Sequence, residues 1–374
     1  MSFPAPPPGP KGALDSSDAL PVVVDNVTPA WFSKILGRPV GSAELVEPIH
    51  GTASKLLYKL AYEDSSDAST LPTHVCVKGG FNPALVKLHP ALNAVYRREA
   101  EFFYYIAPIV PMRLPPVWYC GSDTVSGQGI VVLDDLKAKR YTFGNPLNAW
   151  PVSRVRAGVE QLALLHARTW GAEPAKFPWL KEGLSLREVI LSMMVESEWA
   201  KRFYDAVACP PSVPEHMKDR LRIIRAFKTL WRTTNPAHVA VAHGDAHVGN
   251  TFVTPAGEPG FLDWQGLHAN SFLHDVTYFI TGALTIEDRR ASEVELFEHY
   301  LAALHAAGGP KLARKDVWDE YRKHHLHGFA WALTPPAMQP KEQVDIMTAR
   351  HCAAIADHQS LELLESLLEY VTEA

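Results

Sequence analysis

The chain has 374 residues, which at about 150 residues per domain suggests two domains and enough length to bury a hydrophobic core. Hydrophobic residues make up 47% and charged residues 21%, so the composition excludes a fibrous or wholly disordered chain. Lys and Arg number 36 against 41 Asp and Glu, a formal net charge of −5. Because there is no excess of positive charge to neutralise phosphates, we expect no nucleic-acid partner.

The four cysteines lie far apart and have no metal-ligand spacing; they are Cys76, Cys120, Cys209 and Cys352. This argues against a disulfide framework and a structural zinc site, and it favours a reducing compartment, so we expect a cytoplasmic protein. No apolar run approaches the roughly 18 residues of a membrane span, and we expect no membrane partner. The proline-rich residues 1–20 are interpreted as a flexible leader outside the fold.

The first half of the chain predicts a helix followed by an antiparallel sheet. Thr28 followed by Pro29 is typical of a helix start, and Gly37 to Pro39 end that helix. Short segments rich in Val, Leu and Tyr then alternate with turn residues, and a helical apolar spacing interrupts them once. The predicted strands are 43–49, 55–62, 73–78, 117–119 and 129–133, with one helix over 91–106 after the third strand.

The second half is mostly helical. The apolar periodicity predicts helices over 151–170, much of 184–206, 215–233, 287–307 and 349–370. A β-rich first part followed by a helical second part indicates the α+β class, with two lobes joined near residues 134–150.

One block of polar residues between the later helices contains the candidate catalytic residues. His243, Asp245 and Asn250 have the spacing His-x-Asp-x-x-x-x-Asn, and Asp263 follows an apolar segment thirteen residues after Asn250. Phosphoryl transfer explains these residue types, because one carboxylate accepts the hydroxyl proton while an amide oxygen and a second carboxylate hold Mg²⁺. Two short strands around a turn at Pro255 would bring Asp263 beside Asn250.

This block resembles the kinase-like phosphotransferases of the aminoglycoside phosphotransferase and choline kinase superfamily, most closely the ecdysteroid-kinase-like branch. The resemblance extends over residues 28–370 and implies a two-lobed protein-kinase-like fold, with a small antiparallel β-sheet lobe bearing one helix and a larger, mainly helical lobe. It implies that Asp245 is the catalytic base, that Asn250 and Asp263 are the Mg²⁺ ligands, and that His243 braces the loop. Only twelve residues separate Asp263 from Asp275, too few for a protein-kinase activation loop.

The first lobe contains a second match to the same family. Lys78 ends an apolar strand and Glu99 lies on the next helix, which resembles the lysine and glutamate pair that positions the nucleotide phosphates. The resemblance also implies that the linker from Asp134 to Leu136 contacts adenine and that Ser54 contacts phosphate. It divides the chain into a nucleotide-binding lobe over 21–136 and a catalytic and acceptor-binding lobe over 137–374.

Other polar residues have a plain structural interpretation. Asp275 is interpreted as a helix N-cap, His166 as a buried core histidine, and the 324–327 histidines as a helix surface. The family resemblance implies that the acceptor is a small-molecule alcohol and favours a lipophilic one. The side chains considered for its pocket are Trp264, His268, Phe272, Trp318 and Trp331.

Rival hypotheses remain at this point. The histidines and aspartates between 243 and 275 also suit a metal-dependent hydrolase, and the same fold occurs in nucleotide-binding pseudokinases without activity. The sequence leaves open whether the nucleotide is ATP or GTP, whether the transfer is phosphoryl or nucleotidyl, and the oligomeric state.

Overall fold

The fold is described from a computed structural model of the chain. The structure describes residues 14–16, 18–88, 92–123, 125–172, 177, 180, 198–204, 209–336 and 338–368. Of the predicted helix within 184–206, only Glu198–Tyr204 is described, and it is helical; the rest of that prediction and residues 1–13 lie outside the described residues. Within the described part, no helix is long and apolar enough to cross a membrane.

A five-stranded antiparallel sheet forms the first lobe, as predicted. Its strands are β1 (Val40–Ile49), β2 (Ser54–Tyr62), β3 (His74–Gly79), β4 (Val117–Ser122) and β5 (Gly129–Asp134), in the spatial order β1-β2-β3-β5-β4. Strand β5, which lies between β3 and β4, is buried along its whole length. Pairing of Lys78 with Val131 places the end of β3 in the middle of the sheet, next to the second lobe.

The first lobe has three helices, one before the sheet and two between β3 and β4. Helix α1 (Pro29–Leu36) begins as predicted, because the Thr28 hydroxyl accepts the Trp31 N–H, and it ends at Gly37 in the left-handed conformation. Helix α2 (Pro83–Leu88) was not predicted. Helix α3 (Leu92–Glu101) then continues as a π-helical turn over Phe102–Ile106.

The described residues before α1 differ from the flexible leader that the sequence predicted. Leu14 and Leu20 are buried, and the Ser122 N–H donates to the Leu14 carbonyl at 2.8 Å. Residues 14–16 therefore pack along strand β4, and Leu20 joins the hydrophobic core of the first lobe. Two isolated leucines among polar and proline residues make no periodic pattern, which is why the sequence did not reveal this contact.

The second lobe is built from helices around a fully buried central one. All eleven residues of this central helix, Leu273–Ala283, are buried. The helices are α4 (Val152–Arg168), α5 (Glu198–Tyr204), α6 (Arg220–Arg232), α7 (Leu273–Ala283), α8 (Ile286–Ala306), α9 (Arg314–His324), α10 (Lys341–Asp357) and α11 (Ser360–Ser366). Short strands β6 (Thr142–Phe143), β7 (Val239–Ala242), β8 (Thr251–Val253), β9 (Pro259–Phe261) and β10 (His268–Ser271) complete it.

Two predictions for this lobe are wrong. The predicted helix over 349–370 is two helices, because Gln359 takes a left-handed conformation (φ 51°) and breaks the chain direction between α10 and α11. The histidines at 324, 325 and 327 are buried rather than on a helix surface, since the 3₁₀ segment His325–Leu333 is buried throughout. An imidazole packs in a core as readily as it faces water, so residue type alone did not settle its environment.

Candidate active site

A buried ion pair joins the two lobes. Lys78, at the end of β3, is 5% exposed, and its Nζ lies 2.6 Å from Glu99 Oε2 on α3 and 2.9 Å from Asp263 Oδ1 in the second lobe. Burial alone would lower the pKa of Lys78, but the two carboxylates outweigh it and raise that pKa. Lys78 is therefore a fixed cation between one carboxylate from each lobe.

Asp263 lies just beyond β9, where the backbone turns sharply. Its φ of 64° and ψ of 70° are in the left-handed region, which turns the chain into the short helix Trp264–Gly266. Burial opposes its ionisation, but Lys78 and Lys55 outweigh burial and lower its pKa to about 2. Lys55, with Nζ 3.8 Å from Asp263 Oδ2, is a cation that the sequence analysis did not single out.

The loop between β7 and β8 presents Asp245 to solvent. Gly244 makes the turn at φ 85°, and the Asp245 side chain is 50% exposed. The Asn250 amide nitrogen donates to the Asp245 carbonyl and to its Oδ2, both at 3.0 Å. Because both bonds use the nitrogen, the Asn250 amide oxygen is the atom turned towards other ligands.

Strands β8 and β9 bring Asn250 and Asp263 together, as the turn at Pro255 predicted. The two strands pair antiparallel, and the Leu262 N–H donates to the Asn250 carbonyl at 2.8 Å. Asn250 and Asp263, thirteen residues apart in the chain, thus lie at the same end of the paired strands β8 and β9.

His243 ties this ribbon to the loop. Its Nδ1 accepts the Asp245 N–H at 3.3 Å, so Nε2 carries the proton and donates to the Leu262 carbonyl at 2.9 Å. The ring is fully buried, and burial lowers the pKa of His243. A neutral His243 with this tautomer links the loop that carries Asp245 with the strand that precedes Asp263.

Asp275 is not the helix N-cap that the sequence suggested. It lies inside the first turn of α7, fully buried, and its carboxylate accepts the N–H groups of His243 (2.6 Å) and Gly244 (3.0 Å) and His166 Nε2 (3.0 Å). His166, buried as expected, turns its Nδ1 to the Tyr300 hydroxyl at 2.8 Å. Asp275 therefore holds the loop backbone, a role that its sequence position after His274 did not reveal.

The sequence also singled out the interlobe linker, which follows β5, and Ser54, which begins β2. The Asp134 side chain accepts the Trp118 indole N–H at 2.8 Å and pairs with Lys139, while the Leu136 carbonyl accepts the Tyr141 N–H at 3.0 Å. Ser54 is buried, and its hydroxyl lies 3.0 Å from His50 Nδ1. The Asp134 side chain is thus occupied within the protein.

The side chains considered for an acceptor pocket divide into two groups. Trp264 and Phe272 are fully buried core residues, and Trp318 stacks on Tyr321 at the far side of α9. His268 and Trp331 lie beside the loop: His268 Nδ1 is 2.8 Å from the Gly266 carbonyl, and the Trp331 ring is 5.2 Å from the His247 ring. Trp331 thus packs against His247 of the loop that carries Asp245, and His268 lies beside the Trp264–Gly266 turn.

The histidines and aspartates of residues 243–275 do not gather around one point. Among the described residues, the group of three potential ligand side chains within 4.8 Å of one another is Glu293, His325 and His358, outside that segment. The rings of His325 and His358 stack at 4.3 Å with their planes 6° apart. Lone pairs in parallel ring planes do not converge on one ion, so this arrangement does not favour the hydrolase hypothesis.

The two lobes, the Lys78–Glu99 pair and the Asp245 loop together define the class of kinase-like phosphotransferases. The sequence profile of the ecdysteroid kinase-like family matches residues 84–308, more than half of the chain. The protein belongs to this family. No curated protein matches the chain.

Solved structures of this class are similar to the chain over most of its length. A choline kinase from Cryptosporidium parvum is 10% identical with a TM-score of 0.51, covering 88% of this chain and 91% of that enzyme. A choline kinase from Streptococcus pneumoniae is 13% identical (TM-score 0.46, 89% and 99% covered). An aminoglycoside phosphotransferase from Streptomyces rimosus is 18% identical (TM-score 0.43, 81% and 92% covered). At these identities the likeness concerns the fold alone.

Proposed function

We propose that this protein is a kinase that uses ATP and Mg²⁺ to phosphorylate a hydroxyl group of a small organic molecule. The observation that carries the proposal is the chain of contacts from Glu99 through Lys78 to Asp263, next to the ribbon end where Asp245 bonds Asn250. A buried cation, two oxygen donors and a half-exposed carboxylate at one lobe junction are the groups that phosphoryl transfer requires.

The residues present fit a magnesium ion. The Asn250 amide oxygen and the ionised Asp263 carboxylate are the hard oxygen donors that Mg²⁺ prefers, and the Asn250 nitrogen is already committed to Asp245. Bound by these two side chains, Mg²⁺ would neutralise charge on the phosphate oxygens.

The protein's own groups supply the remaining functions. Lys78, held by Glu99, binds the phosphates as a fixed cation, and Lys55 adds a second charge from the β1–β2 turn where Ser54 lies. The linker from Asp134 to Leu136 receives the adenine base. Asp245 accepts the proton of the acceptor hydroxyl, and positioning with charge neutralisation accounts for most of the rate.

This function assigns a role to each lobe. The sheet lobe up to Leu136 binds the nucleotide, and residues 137–374 carry the catalytic loop and bind the acceptor. The acceptor is a neutral, lipophilic alcohol, because the Trp331 indole and the Tyr278 ring pack against His247 of the loop that carries Asp245. Burial lowers the pKa of His274 and His351 to about 3, so these two histidines add no positive charge at neutral pH.

Thermal unfolding with nucleotide tests the binding half of the proposal. Mg·ATP binds only the folded protein and is expected to raise Tm, whereas Asp263→Ala is expected to abolish the metal-dependent part of the shift. Asp319→Ala, which removes a 74% exposed carboxylate, is the matched control and is expected to keep the full shift. Mg·GTP is measured in parallel. No shift with either nucleotide at millimolar concentration contradicts the proposal and favours the hydrolase.

Turnover of the Asp245→Asn variant tests the chemical half. Removing the proton acceptor is expected to lower kcat by about 100-fold or more while leaving the Mg·ATP shift of Tm unchanged. ADP release in a screen of alcohols measures this, and release of pyrophosphate in its place would show nucleotidyl transfer. Undiminished turnover in Asp245→Asn contradicts the assignment of the base, and nucleotide binding without turnover of any alcohol favours a pseudokinase.

A further inference from the structure

A tyrosine on helix α3 connects that helix to the turn between β1 and β2, residues 50–53. The Tyr96 hydroxyl donates to the Thr52 carbonyl at 2.8 Å, although the two residues are 44 positions apart in the chain. Thr52 is exposed, whereas Tyr96 is only 3% exposed. A buried side chain of one element thus holds the backbone of an exposed turn in another.

The β1–β2 turn leads directly into the cations of the candidate site. Lys55, the second residue of β2, pairs with Lys78 of β3, so the two lysines are direct cross-strand neighbours. Like charges in such a pair repel each other, and the Asp263 carboxylate offsets that repulsion at 3.8 Å from Lys55 Nζ and 2.9 Å from Lys78 Nζ. The turn therefore lies next to the place where the phosphates of the proposed nucleotide bind.

The same face of α3 also holds Lys78. Tyr96 and Glu99 are three residues apart, a spacing that makes side chains neighbours on a helix. Glu99 Oε2 lies 2.6 Å from Lys78 Nζ. Helix α3 therefore fixes two parts of the phosphate site, the lysine through a carboxylate and the β1–β2 turn through a hydroxyl.

The position of the Tyr96 ring is set by the backbone that follows β3. A Cβ added at Gly80 would lie 2.3 Å from Cε2 and 2.4 Å from Cδ2 of the ring, so only a glycine allows this close approach. Gln128 holds the same backbone, because its Oε1 accepts the Gly80 N–H at 2.9 Å and its Nε2 donates to the Gly80 carbonyl at 3.0 Å. Burial raises the pKa of Tyr96, so the hydroxyl keeps its proton and remains a donor at neutral pH.

We propose that Tyr96 is a positioning residue for the nucleotide phosphates, which holds the β1–β2 turn beside Lys78 while Glu99 holds the lysine itself. The inference rests on the proposed kinase function. An exposed turn without this hydrogen bond adopts several conformations, and the apparent affinity for a ligand falls with the fraction of molecules in the conformation that binds it. Because Tyr96 acts through the turn, its loss affects ligands that carry phosphates and spares the nucleoside.

Thermal-shift titrations of Tyr96→Phe with Mg·ATP and with adenosine test the role. Loss of the hydroxyl is expected to weaken Mg·ATP binding about 3- to 10-fold, the factor that one hydrogen bond supplies, and to leave adenosine binding unchanged. Tyr62→Phe is the matched control, because Tyr62 is buried in the same lobe and its hydroxyl donates to the Pro72 carbonyl, also at 2.8 Å. The control is expected to bind both ligands as the wild type does. Equal weakening of Mg·ATP and adenosine binding in Tyr96→Phe, or equal Mg·ATP affinity in the two variants, overturns the proposal.

Hydrogen exchange tests the contact without any nucleotide. The backbone amides of residues 50–55 are expected to exchange several-fold faster in Tyr96→Phe than in the wild type, and at the wild-type rate in Tyr62→Phe. Unchanged exchange in Tyr96→Phe shows that the hydroxyl does not hold the turn and overturns the proposal. A wild-type protein that does not bind Mg·ATP overturns the kinase function and the positioning role together, whereas wild-type binding that Tyr96→Phe leaves intact overturns the positioning role alone.

Discussion

At the scale of single residues, Asp275 is the group on which the candidate catalytic loop depends. One buried carboxylate accepts two consecutive backbone N–H groups and an imidazole N–H. Burial opposes its ionisation, but the hydrogen bond and charge of His166 outweigh burial and lower the pKa of Asp275. The carboxylate therefore stays ionised, and its two oxygens satisfy donors that would otherwise be buried without a partner.

Asp275→Asn is expected to destabilise the protein by about 3 kcal/mol, because the amide has one acceptor oxygen and turns its NH₂ towards a backbone N–H. Chemical denaturation measures the loss. Asp319→Asn, at an exposed carboxylate paired with Arg322, is expected to change the free energy of unfolding by less than about 0.5 kcal/mol. Equal stability of the two variants would contradict the assigned contacts of Asp275.

At the scale of elements, helices α4 and α7 approach closely because α4 has a glycine where they cross. A Cβ added at Gly158 would lie 2.5 Å from two atoms of the Phe279 ring. Phe279 is fully buried and packs against Phe261 and Trp150, so its ring has little room to move. This crossing sets the position of α7, which carries both Asp275 and Tyr278.

Gly158→Ala is therefore expected to destabilise the protein by about 1–2 kcal/mol, since overpacking outweighs the roughly 1 kcal/mol that alanine gains in a helix. Thermal or urea unfolding measures the change. Gly41→Ala is the matched variant, because its nearest neighbour would lie 3.6 Å away, and we expect little change there. Stabilisation by Gly158→Ala would show that the two helices can separate without cost.

At the scale of the whole molecule, the second lobe encloses histidines that burial keeps neutral. Burial lowers the pKa of His274 and His351 to about 3, and it lowers the pKa of His325 and His327 as well. In the unfolded chain these groups titrate near 6.5. Between about pH 6.5 and 3 the unfolded chain therefore binds more protons than the folded one, so stability falls as the pH falls.

The free energy of unfolding is expected to decrease by up to about 1.4 kcal/mol per pH unit for each such histidine as the pH falls below about 6. Asp263, with a lowered pKa of about 2, adds acid sensitivity only below about pH 4, so the two causes are separable. His351→Gln is expected to reduce the slope by about one proton, and His216→Gln, at an exposed position, to leave it unchanged. A free energy of unfolding that does not change between pH 7 and 5 would contradict the conclusion that these histidines are buried in their neutral form.

Prediction from the sequence succeeded where local pattern and local structure coincide. Alternating Val, Leu and Tyr segments with clear turns predicted the five strands, and the Thr28–Pro29 start predicted α1. The turn at Pro255 was enough to bring Asn250 and Asp263 together, because a short antiparallel ribbon is a local structure. Prediction from the sequence was wrong for Asp275, for the histidines at 324, 325 and 327 and for Leu14, because their environments depend on distant segments of the chain.

The sequence by itself determined the α+β class, the order of the two lobes and the residue types available for chemistry, since these follow from periodicity and from motif spacing. Only the tertiary structure decided that Lys78 lies between Glu99 and Asp263 and that Asp275 holds the loop backbone. The physical reason is that these contacts join residues far apart in the chain, and the packing of buried helices, to which many residues contribute a little, sets their distances.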